Sequence, residues 1–553
     1  MKTLVPLMYL LLIFTMYLML GSIGGTLATV AVIGMSALGA MGFAGWIGIV
    51  ITPQSVLAPT MILTMAIADS IHVLAPMFNW MRQGQDKETA LKESLRINLL
   101  PVFITSITTA LGFLSMNFSD TPPLHDLGNI TAFGVGLAFL LSIGFLPALC
   151  AVLPLKVKAQ KANRSTSMER FGDWVVLHHR KLFVVTGLVM MMLACFVPRN
   201  DLNDQFVKYF DDSIRFRRDA DFTSEHLTGI YTVDFSLESG ESNGIADPQY
   251  LATLEKFSDW LRSQPDIVHV NSLSDTFKRL NKNMHADDET KYTLPDNREL
   301  SAQYLLLYEM SLPFGRDLNN RINVDKSATR ITATTGDINS KRLRQIALQG
   351  RKWLEENAPE MATDGVGAAL MFAYISERNI NGMLGGTTLA LIGISFILMF
   401  ALRSVKYGFL SLIPNLLPAA VSFGIWGLFV GKVGMSLSVV TAMTLGIVVD
   451  DTVHFLSKYL QARREKELSA EDAVRYAFKS VGSALVSTSA ILVAGFLVLS
   501  VSSFAQNGDM GKMAAITIIV ALIADFLFLP PLLILLESSK RSSSQTTKMV
   551  DAN

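Results

Sequence analysis

The chain has 553 residues, of which 50% are hydrophobic and 17% are charged, and its mean hydropathy is +0.38. A chain this apolar is not a soluble protein, and one this long exceeds a single domain. Its 47 basic and 47 acidic residues balance, which argues against a nucleic-acid partner. Cys150 and Cys195 both fall in apolar segments, so they indicate neither a disulfide framework nor a metal site.

Apolar stretches of about 20 residues, the length that crosses a bilayer, predict about eleven membrane-spanning helices. They lie near 4–20, 25–49, 56–79, 99–117, 128–153, 181–198, 383–402, 408–430, 435–459, 480–501 and 512–536. The loops 80–98, 154–181 and 458–479 are basic, as is the tail with Lys540 and Arg541. Basic loops are typically cytoplasmic, so we expect Met1 and residues 199–380 to lie outside.

The segment Ser165–His179 precedes the sixth span and carries Met168, Phe171, Trp174 and Val175 on one side. This pattern predicts an interfacial amphipathic helix, with an ordinary loop as the alternative.

The long polar segment after the sixth span alternates between strand and helix patterns. The predicted strands are Tyr231–Leu237, Ile267–Leu273, Arg330–Thr335 and a short one near 362–367, and the predicted helices are Pro248–Ser263, Arg298–Glu309 and Ser340–Asn357. Asn281–Glu289 is expected to be a polar loop, and the isolated His226, His269 and His285 to be surface residues. The pattern predicts a compact α+β sandwich with no catalytic triad or metal-ligand cluster.

The predicted fold is thus a polytopic α-helical membrane protein in two repeated halves, with one extracytoplasmic α+β domain. Its domains are a first five-helix repeat at 1–153, a cytoplasmic linker at 154–180, a transmembrane helix at 181–198, the α+β domain at 199–380, a second five-helix repeat at 381–537 and a cytoplasmic tail at 538–553.

Two carboxylates and a histidine interrupt the apolar stretch 435–459, namely Asp450, Asp451 and His454. Each aspartate at the centre of a membrane helix costs about 2.5–3.5 kcal/mol, so such groups usually face a bundle interior and take part in proton or ion movement. Residues three or four apart share a helix face, so at least one carboxylate faces the imidazole. We therefore predict a proton relay, against the plainer alternative of a polar cluster that only packs helices.

The order Asp-x-x-His occurs in two of the apolar stretches. The first pair is Asp69 and His72, and the second is Asp451 and His454. Each residue of the first pair lies 382 residues before its counterpart in the second. Further matches follow at a separation of 383 residues, pairing Thr105-Ser106 with Thr488-Ser489, Gly128 with Gly511, and Leu146-Pro147 with Leu529-Pro530. One inserted residue explains the change. Parallel repeats of membrane helices are typical of transporters.

The repeat also predicts that something is missing from the start of the chain. The second half contains one span, an outer domain and five spans, whereas the first half contains only five spans. We therefore predict an N-terminally truncated chain. The alternative is that Met1–Leu20 is a signal peptide, with Lys2 as its basic residue; against it, the repeat equates 4–20 with 383–402.

Further polar residues lie in the spans and are candidates to support the relay: Thr105, Ser106, Thr488, Ser489 and Asp525. The hydroxyls either reach aspartates on neighbouring helices or serve ordinary close packing. The lone Asp525, matched by Ser142 in the first half, either joins the relay or lies nearer the interface. His72 and His454 either carry a proton or only fix the rotamers of the carboxylates.

The stretches Gly446–His454 and Asp69–His72, the repeat and the inserted outer domain resemble the resistance-nodulation-division (RND) superfamily of transporters, closest to its MMPL-type and lipid-exporter branch. The resemblance implies that the outer domain is a porter domain, and that aspartates of the fourth and tenth spans carry protons. Asp69, Asp450 and Asp451 take that role here, with His72 and His454 beside them. The sequence departs from the family in lacking the first span and first porter domain. Sterol-sensing-domain proteins share the five-span unit.

The expected function is export of hydrophobic or amphiphilic, lipid-like molecules, driven by the proton-motive force. We expect a location in the bacterial inner membrane, protons as the coupling ion, and neither cofactor nor metal. Expected partners are membrane lipids, the substrate, and either further copies of the chain or a second polypeptide that supplies the missing part.

Three alternatives stay open. One is a lipid- or sterol-sensing module without transport, and another is an accessory role in protein export, as in SecDF-type members. The third is an intramembrane aspartyl protease in which Asp69 and Asp451 share a water. Eleven spans, the repeat and the histidines favour a transporter that is not an enzyme.

Overall fold

The computed structural model describes residues 4–155 and 167–537. They form two compact units, one helical unit from the ranges Met1–Leu202 and Arg378–Asn553 and one mixed unit at Asn203–Glu377. Four basic residues of the predicted linker, Lys156, Lys158, Lys161 and Arg164, and the predicted tail 538–553 lie outside the described residues.

The helical unit is built from two series of helices, one at each end of the chain. The first series comprises α1 Leu4–Leu20, α2 Ile23–Trp46, α3 Ala58–Arg82, α4 Lys87–Leu114, α5 Pro122–Leu140, α6 Leu146–Val152, α7 Ser167–Leu177 and α8 His179–Ala194. The mixed unit contributes α9 to α13, given below. The second series comprises α14 Ala368–Ala401, α15 Val405–Phe429, α16 Met435–Glu465, α17 Ala470–Ala477, α18 Ser483–Leu499 and α19 Ala505–Ile523. The short strands β1 Asp201–Leu202 and β5 Lys432–Val433 pair in parallel within this unit.

Ten helical segments of the described chain are long and apolar enough to cross a membrane. The eleventh predicted span, α1, forms over its predicted residues but has only 17 of them. It packs within the helical unit, where Leu12 and Met16 are fully buried and Leu12 contacts Gly495 of α18. The polytopic helical fold predicted from the sequence is therefore confirmed.

Several helices are longer than hydropathy predicts, because polar residues extend them past the apolar stretch. α4 begins at Lys87 rather than near 99, and the Asp86 side chain caps it by accepting a hydrogen bond from the backbone N–H of Thr89. The predicted basic loop 80–98 is therefore mostly helix. The predicted loop 458–479 is also mostly helix, because α16 continues to Glu465 and α17 follows.

The two halves repeat at the level of backbone packing. A Cβ atom on Gly128 of α5 would lie 2.5 Å from the carbonyl oxygen of Phe113 in α4. A Cβ atom on its counterpart Gly511 in α19 would lie 2.6 Å from the carbonyl oxygen of Phe496 in α18. Phe113 and Phe496 are themselves 383 residues apart. Glycine at both positions therefore permits the same close helix contact in each half.

The described parts of the two halves share a π-helical turn at equivalent positions of the repeat. These turns are Leu141–Phe145 and Ala524–Phe528, and each is followed by a Leu-Pro pair, Leu146-Pro147 and Leu529-Pro530. Proline has no backbone N–H to offer the carbonyl four residues earlier, so the ladder is locally rearranged. The prolines therefore account for these two turns, whereas a further π-helical turn of the described chain, Phe478–Gly482, has no proline directly after it.

The mixed unit is a three-stranded antiparallel sheet with helices. Its strands, in the order β2-β4-β3, are β2 Tyr231–Glu238, β3 Ile267–Asn271 and β4 Ala328–Thr335. Its helices are α9 Arg215–His226, α10 Pro248–Arg262, α11 Leu273–Met284, α12 Arg298–Ser311 and α13 Ser340–Asn357. The apolar face predicted for the α10 helix is confirmed, because Leu251, Leu254, Phe257 and Leu261 are all fully buried.

Two details of the mixed unit differ from the sequence prediction. The strand predicted near 362–367 is reduced to one isolated bridge between Val366 and Asp234. The predicted loop 281–289 begins inside α11, because Phe277 and Asn281 continue its buried face. The Asn281 side chain donates to the backbone carbonyls of Lys291 and Thr293, which pins the following segment. His226, His269 and His285 are exposed, as predicted.

The amphipathic segment before the sixth span is helical as α7. Its apolar side packs within the helical unit, where Val175 is fully buried and the Phe171 ring meets the Phe478 ring edge-on at 5.5 Å. A membrane-interfacial location remains a prediction.

Candidate functional site

The predicted relay residues lie on α3 and α16, whose apolar stretches are the most deeply buried of the candidate spans. Asp69 and His72 come from α3, and Asp450, Asp451 and His454 come from α16. Asp69, Asp451 and both histidines are buried, and the Asp450 side chain is 13% exposed. Ionisable groups therefore cluster inside the bundle, as expected for functional intramembrane residues.

The Asp450 carboxylate lies between two imidazoles from different halves of the chain. Its Oδ2 lies 3.5 Å from Nε2 of His72, and its Oδ1 lies 3.5 Å from Nε2 of His454. The two rings stack in parallel, with centroids 3.6 Å apart and an angle of 7° between their planes. Two imidazolium charges at this separation would repel strongly, so the group is suited to hold one extra proton at a time.

The other two aspartates are each paired with a serine on the next helix of their own half. Ser489 of α18 donates to Oδ2 of Asp451 at 2.9 Å. Its counterpart Ser106 of α4 lies 3.4 Å from Oδ2 of Asp69 and has a shorter bond, 2.8 Å, to the carbonyl of Val102. The two Asp–Ser pairs are equivalent in the repeat, and the serine is closer to the carboxylate in the second half than in the first.

The two threonines predicted as support hydrogen-bond within their own helices. Thr105 donates to the carbonyl of Val102 at 3.1 Å and lies beside the Asp450 carboxylate. Thr488 donates to the carbonyls of Ala484 and Leu485.

Two residues that sequence reasoning missed lie on α16 beside the cluster. Thr452 donates to Oδ1 of the buried Asp525 at 2.8 Å. Lys458, taken from the sequence as a loop residue, is only 3% exposed, and its ammonium donates to the carbonyl of Ile97 at 3.2 Å. The sequence signal that could have placed Lys458 beside the cluster is its position one helical turn after His454.

One group of described residues has the atoms and spacing for a shared metal ion. The ligand atoms of His72, Asp450 and His454 all lie within 4.8 Å of one another. Imidazole nitrogens and a carboxylate suit a divalent transition metal. The expectation that no metal is involved therefore stays a prediction.

Comparison with known proteins gives family matches to both halves. Residues 325–551 match the MMPL family, and residues 22–172 match the sterol-sensing domain of SREBP cleavage-activation. A membrane protein of Methanocaldococcus jannaschii is 26% identical over 320 residues, which are 56% of this chain and 78% of that protein. The sulfolipid-1 exporter MmpL8 of Mycobacterium tuberculosis is 22% identical over 209 residues, 37% of this chain but only 19% of the exporter.

The fold has a counterpart among solved structures. SecDF in its super-membrane-facing form matches with a TM-score of 0.58 and 12% identity, over 99% of this chain and 62% of that one. At this identity the likeness concerns the fold alone. The family matches confirm the MMPL-type resemblance drawn from the sequence: this chain is a multi-pass membrane protein with an MMPL-family region at residues 325–551.

Proposed function

We propose that the chain exports hydrophobic or amphiphilic, lipid-like molecules and that proton movement drives the export. The MMPL match and the likeness to a sulfolipid-1 exporter support a lipid-like substrate. The observation that carries the proton coupling is the contact of Asp450 with His72 and His454. It joins α3 of the first half to α16 of the second through ionisable groups.

The geometry gives a physical route from proton binding to conformational change. With Asp450 ionised and the His72 imidazole protonated, opposite charges hold α3 against α16. Neutralising either partner removes that attraction, so protonation biases the equilibrium between two arrangements of the halves. Asp69 and Asp451, each beside a serine hydroxyl, are positioned as proton donors and acceptors on either side.

The available energy is sufficient in principle. A proton that crosses a potential of about 100 mV releases about 2.3 kcal/mol, and a pH gradient adds to this. We place the chain in the bacterial inner membrane, with residues 199–380 on the outer side as a porter-like domain. We also propose further copies of the chain, or a second polypeptide, as partners.

Reconstitution into lipid vesicles tests the proposal. An imposed pH gradient is expected to drive movement of a fluorescent phospholipid analogue together with protons, and Asp451→Asn and Asp450→Asn are each expected to reduce both to background. Asp120→Asn is the matched control, because Asp120 is an exposed carboxylate of the same unit, paired with Arg378. Loss of flux in this control, or undiminished flux in both relay variants, would contradict the proton coupling.

Washing the vesicles with a chelator separates proton relay from metal binding. We expect unchanged flux, since the proposed role of His72, Asp450 and His454 needs no metal. Flux that vanishes with the chelator and returns with a divalent ion would instead assign these residues to a metal site.

The sterol-sensing match over residues 22–172 supports a second candidate function, in which the chain responds to lipid without moving it. Saturable binding of a sterol or phospholipid without proton or lipid flux would favour this sensing role over export.

A further inference from the structure

Asp525 is a buried carboxylate that the proposed relay does not use. Its side chain is fully buried, and Oδ1 accepts a hydrogen bond from the hydroxyl of Thr452 at 2.8 Å. Within the part of the chain that the structure describes, Oδ2 has no hydrogen-bond partner and neither oxygen forms an ion pair. A charge buried this way is costly unless something neutralises it.

The backbone around Asp525 does not explain the carboxylate. The same π-helical turn occurs in the first half, where Ser142 takes the place of Asp525. Ser70 likewise takes the place of Thr452, since both pairs follow the offsets of the repeat. The hydroxyls of Ser70 and Ser142 are buried and, among the described residues, have no hydrogen-bond partner. The turn therefore does not need an acidic residue, and of the two equivalent turns only that of the second half carries a carboxylate.

The position of Asp525 connects it to the relay. Thr452 directly follows Asp451 on α16, and both residues take part in a hydrogen bond to a carboxylate. Asp451 accepts one from Ser489 of α18, and Thr452 donates one to Asp525. The Asp450 carboxylate acts electrostatically on Asp525, and Asp525 in turn acts on Asp451. Positive charge bound at Asp525 would therefore stabilise the ionised form of its neighbours.

We propose that Asp525 and Thr452 form a second proton-binding site, present only in the second half. A proton needs only the free oxygen of the carboxylate, whereas a metal cation needs several oxygen ligands, and the described residues show only the Thr452 hydroxyl beside Asp525. The free Oδ2 is the atom that would take it. The binding site stands without the proposed export, but its contribution to coupling rests on that function.

Infrared difference spectroscopy on the purified full chain in lipid nanodiscs tests the site directly. The carbonyl stretch of a protonated carboxylic acid is measured with and without sodium chloride, with potassium chloride as the salt control. The variant is Asp525→Ser, which installs the first-half residue, and the matched control is Ser142→Ala at the equivalent turn. Thermal unfolding in nanodiscs confirms that each variant is folded.

A carboxylic acid band that disappears in Asp525→Ser, persists in Ser142→Ala and ignores sodium assigns a proton. A band that converts to a carboxylate on addition of sodium, but not of potassium, would assign sodium and overturn the proton site. Thr452→Val should shift the acid band, because one hydrogen bond to the acid is lost. A spectrum in which Asp525→Ser removes only an ionised carboxylate, insensitive to sodium, would overturn the proposal.

Vesicle transport measured in parallel separates the two proposals. Spectroscopic assignment of Asp525 without any flux in the unaltered chain would leave the proton-binding site standing and defeat the proposed export. Proton-driven flux that Asp525→Ser leaves unchanged, together with an unaltered acid band, would support the proposed export and defeat the site at Asp525.

Discussion

Asp450 receives one imidazole from each half of the chain, and this shared contact leads to a prediction on the histidines. His72→Phe and His454→Phe each remove one Nε2 at 3.5 Å and keep a ring for stacking. An interaction with a charged group contributes about 1.5–3 kcal/mol, so each change should lower proton-driven flux roughly tenfold or more. Because both rings act on one carboxylate, the double variant should lose far less than the product of the two single losses.

Flux of the four proteins in the same vesicles completes the cycle. His285→Phe is the control, since His285 is an exposed histidine of the mixed unit. Fully multiplicative losses would mean that the two histidines act on different groups.

The same residues show how far sequence reasoning reaches at this scale. The four-residue spacing predicted that His454 shares a face with Asp450, and the structure places them together. Spacing alone also puts His72 near Asp69, yet the His72 ring lies against Asp450 of the other half. Helical periodicity fixes neighbours within one helix, whereas a contact between helices 382 residues apart in sequence depends on packing that no local pattern encodes.

Near the site, α4 and α16 approach each other closely. A Cβ atom on Gly446 would lie 2.7 Å from the Cα atom of Thr109, and Thr109 donates to the Gly446 carbonyl at 3.2 Å. Gly446 is one turn before Asp450, and Thr105 beside that carboxylate is one turn before Thr109. The glycine therefore sets the distance between α4 and the relay.

Gly446→Ala is expected to force these helices apart, because the new methyl group meets backbone that cannot rotate away. The expected loss is about 1–3 kcal/mol of unfolding free energy, as for other overpacked sites, together with reduced flux. Gly136→Ala is the matched control, since its Cβ would meet no atom within 4 Å, and it should be neutral or gain up to about 1 kcal/mol. Unfolding titrations in mixed micelles measure both; equal stability of the two variants would refute the close-contact argument.

Element boundaries were less predictable than element identity. Hydropathy located the spans but not the ends of α4, α14 and α16, because charged residues favourable to helix extend them beyond the apolar stretch. The π-helical turns were also missed, although the two Leu-Pro pairs were visible in the repeat.

At the scale of the helical unit, the two halves repeat internally but do not pack symmetrically on each other. α4 of the first half packs along α16 over a longer stretch than its counterpart α18 packs along α3. Gly112 of α4 faces Ala442 and Gly446 of α16, whereas its counterpart Gly495 faces Leu12 of α1. The looser serine contact of Asp69 belongs to the same asymmetry. The proposed transport requires a second arrangement of the halves, and we infer from the unequal interfaces that the tight and the loose one exchange in it.

This exchange predicts the behaviour of cross-links in the full chain with Cys150 and Cys195 replaced by serine. The bridge is made between Gly112→Cys of α4 and Ala442→Cys of α16, because a Cβ atom on Gly112 would lie 3.1 Å from the carbonyl oxygen of Ala442. A bridge across α4 and α16 should stop proton-driven lipid movement, and a reductant should restore it, because the tight interface must open in each cycle. Asn117→Cys with Asn129→Cys is the matched control, because these side chains hydrogen-bond at 2.8 Å within the first half and a bridge there does not cross to the second half. Transport that continues at full rate with the α4–α16 bridge formed would show that the halves do not rock against each other.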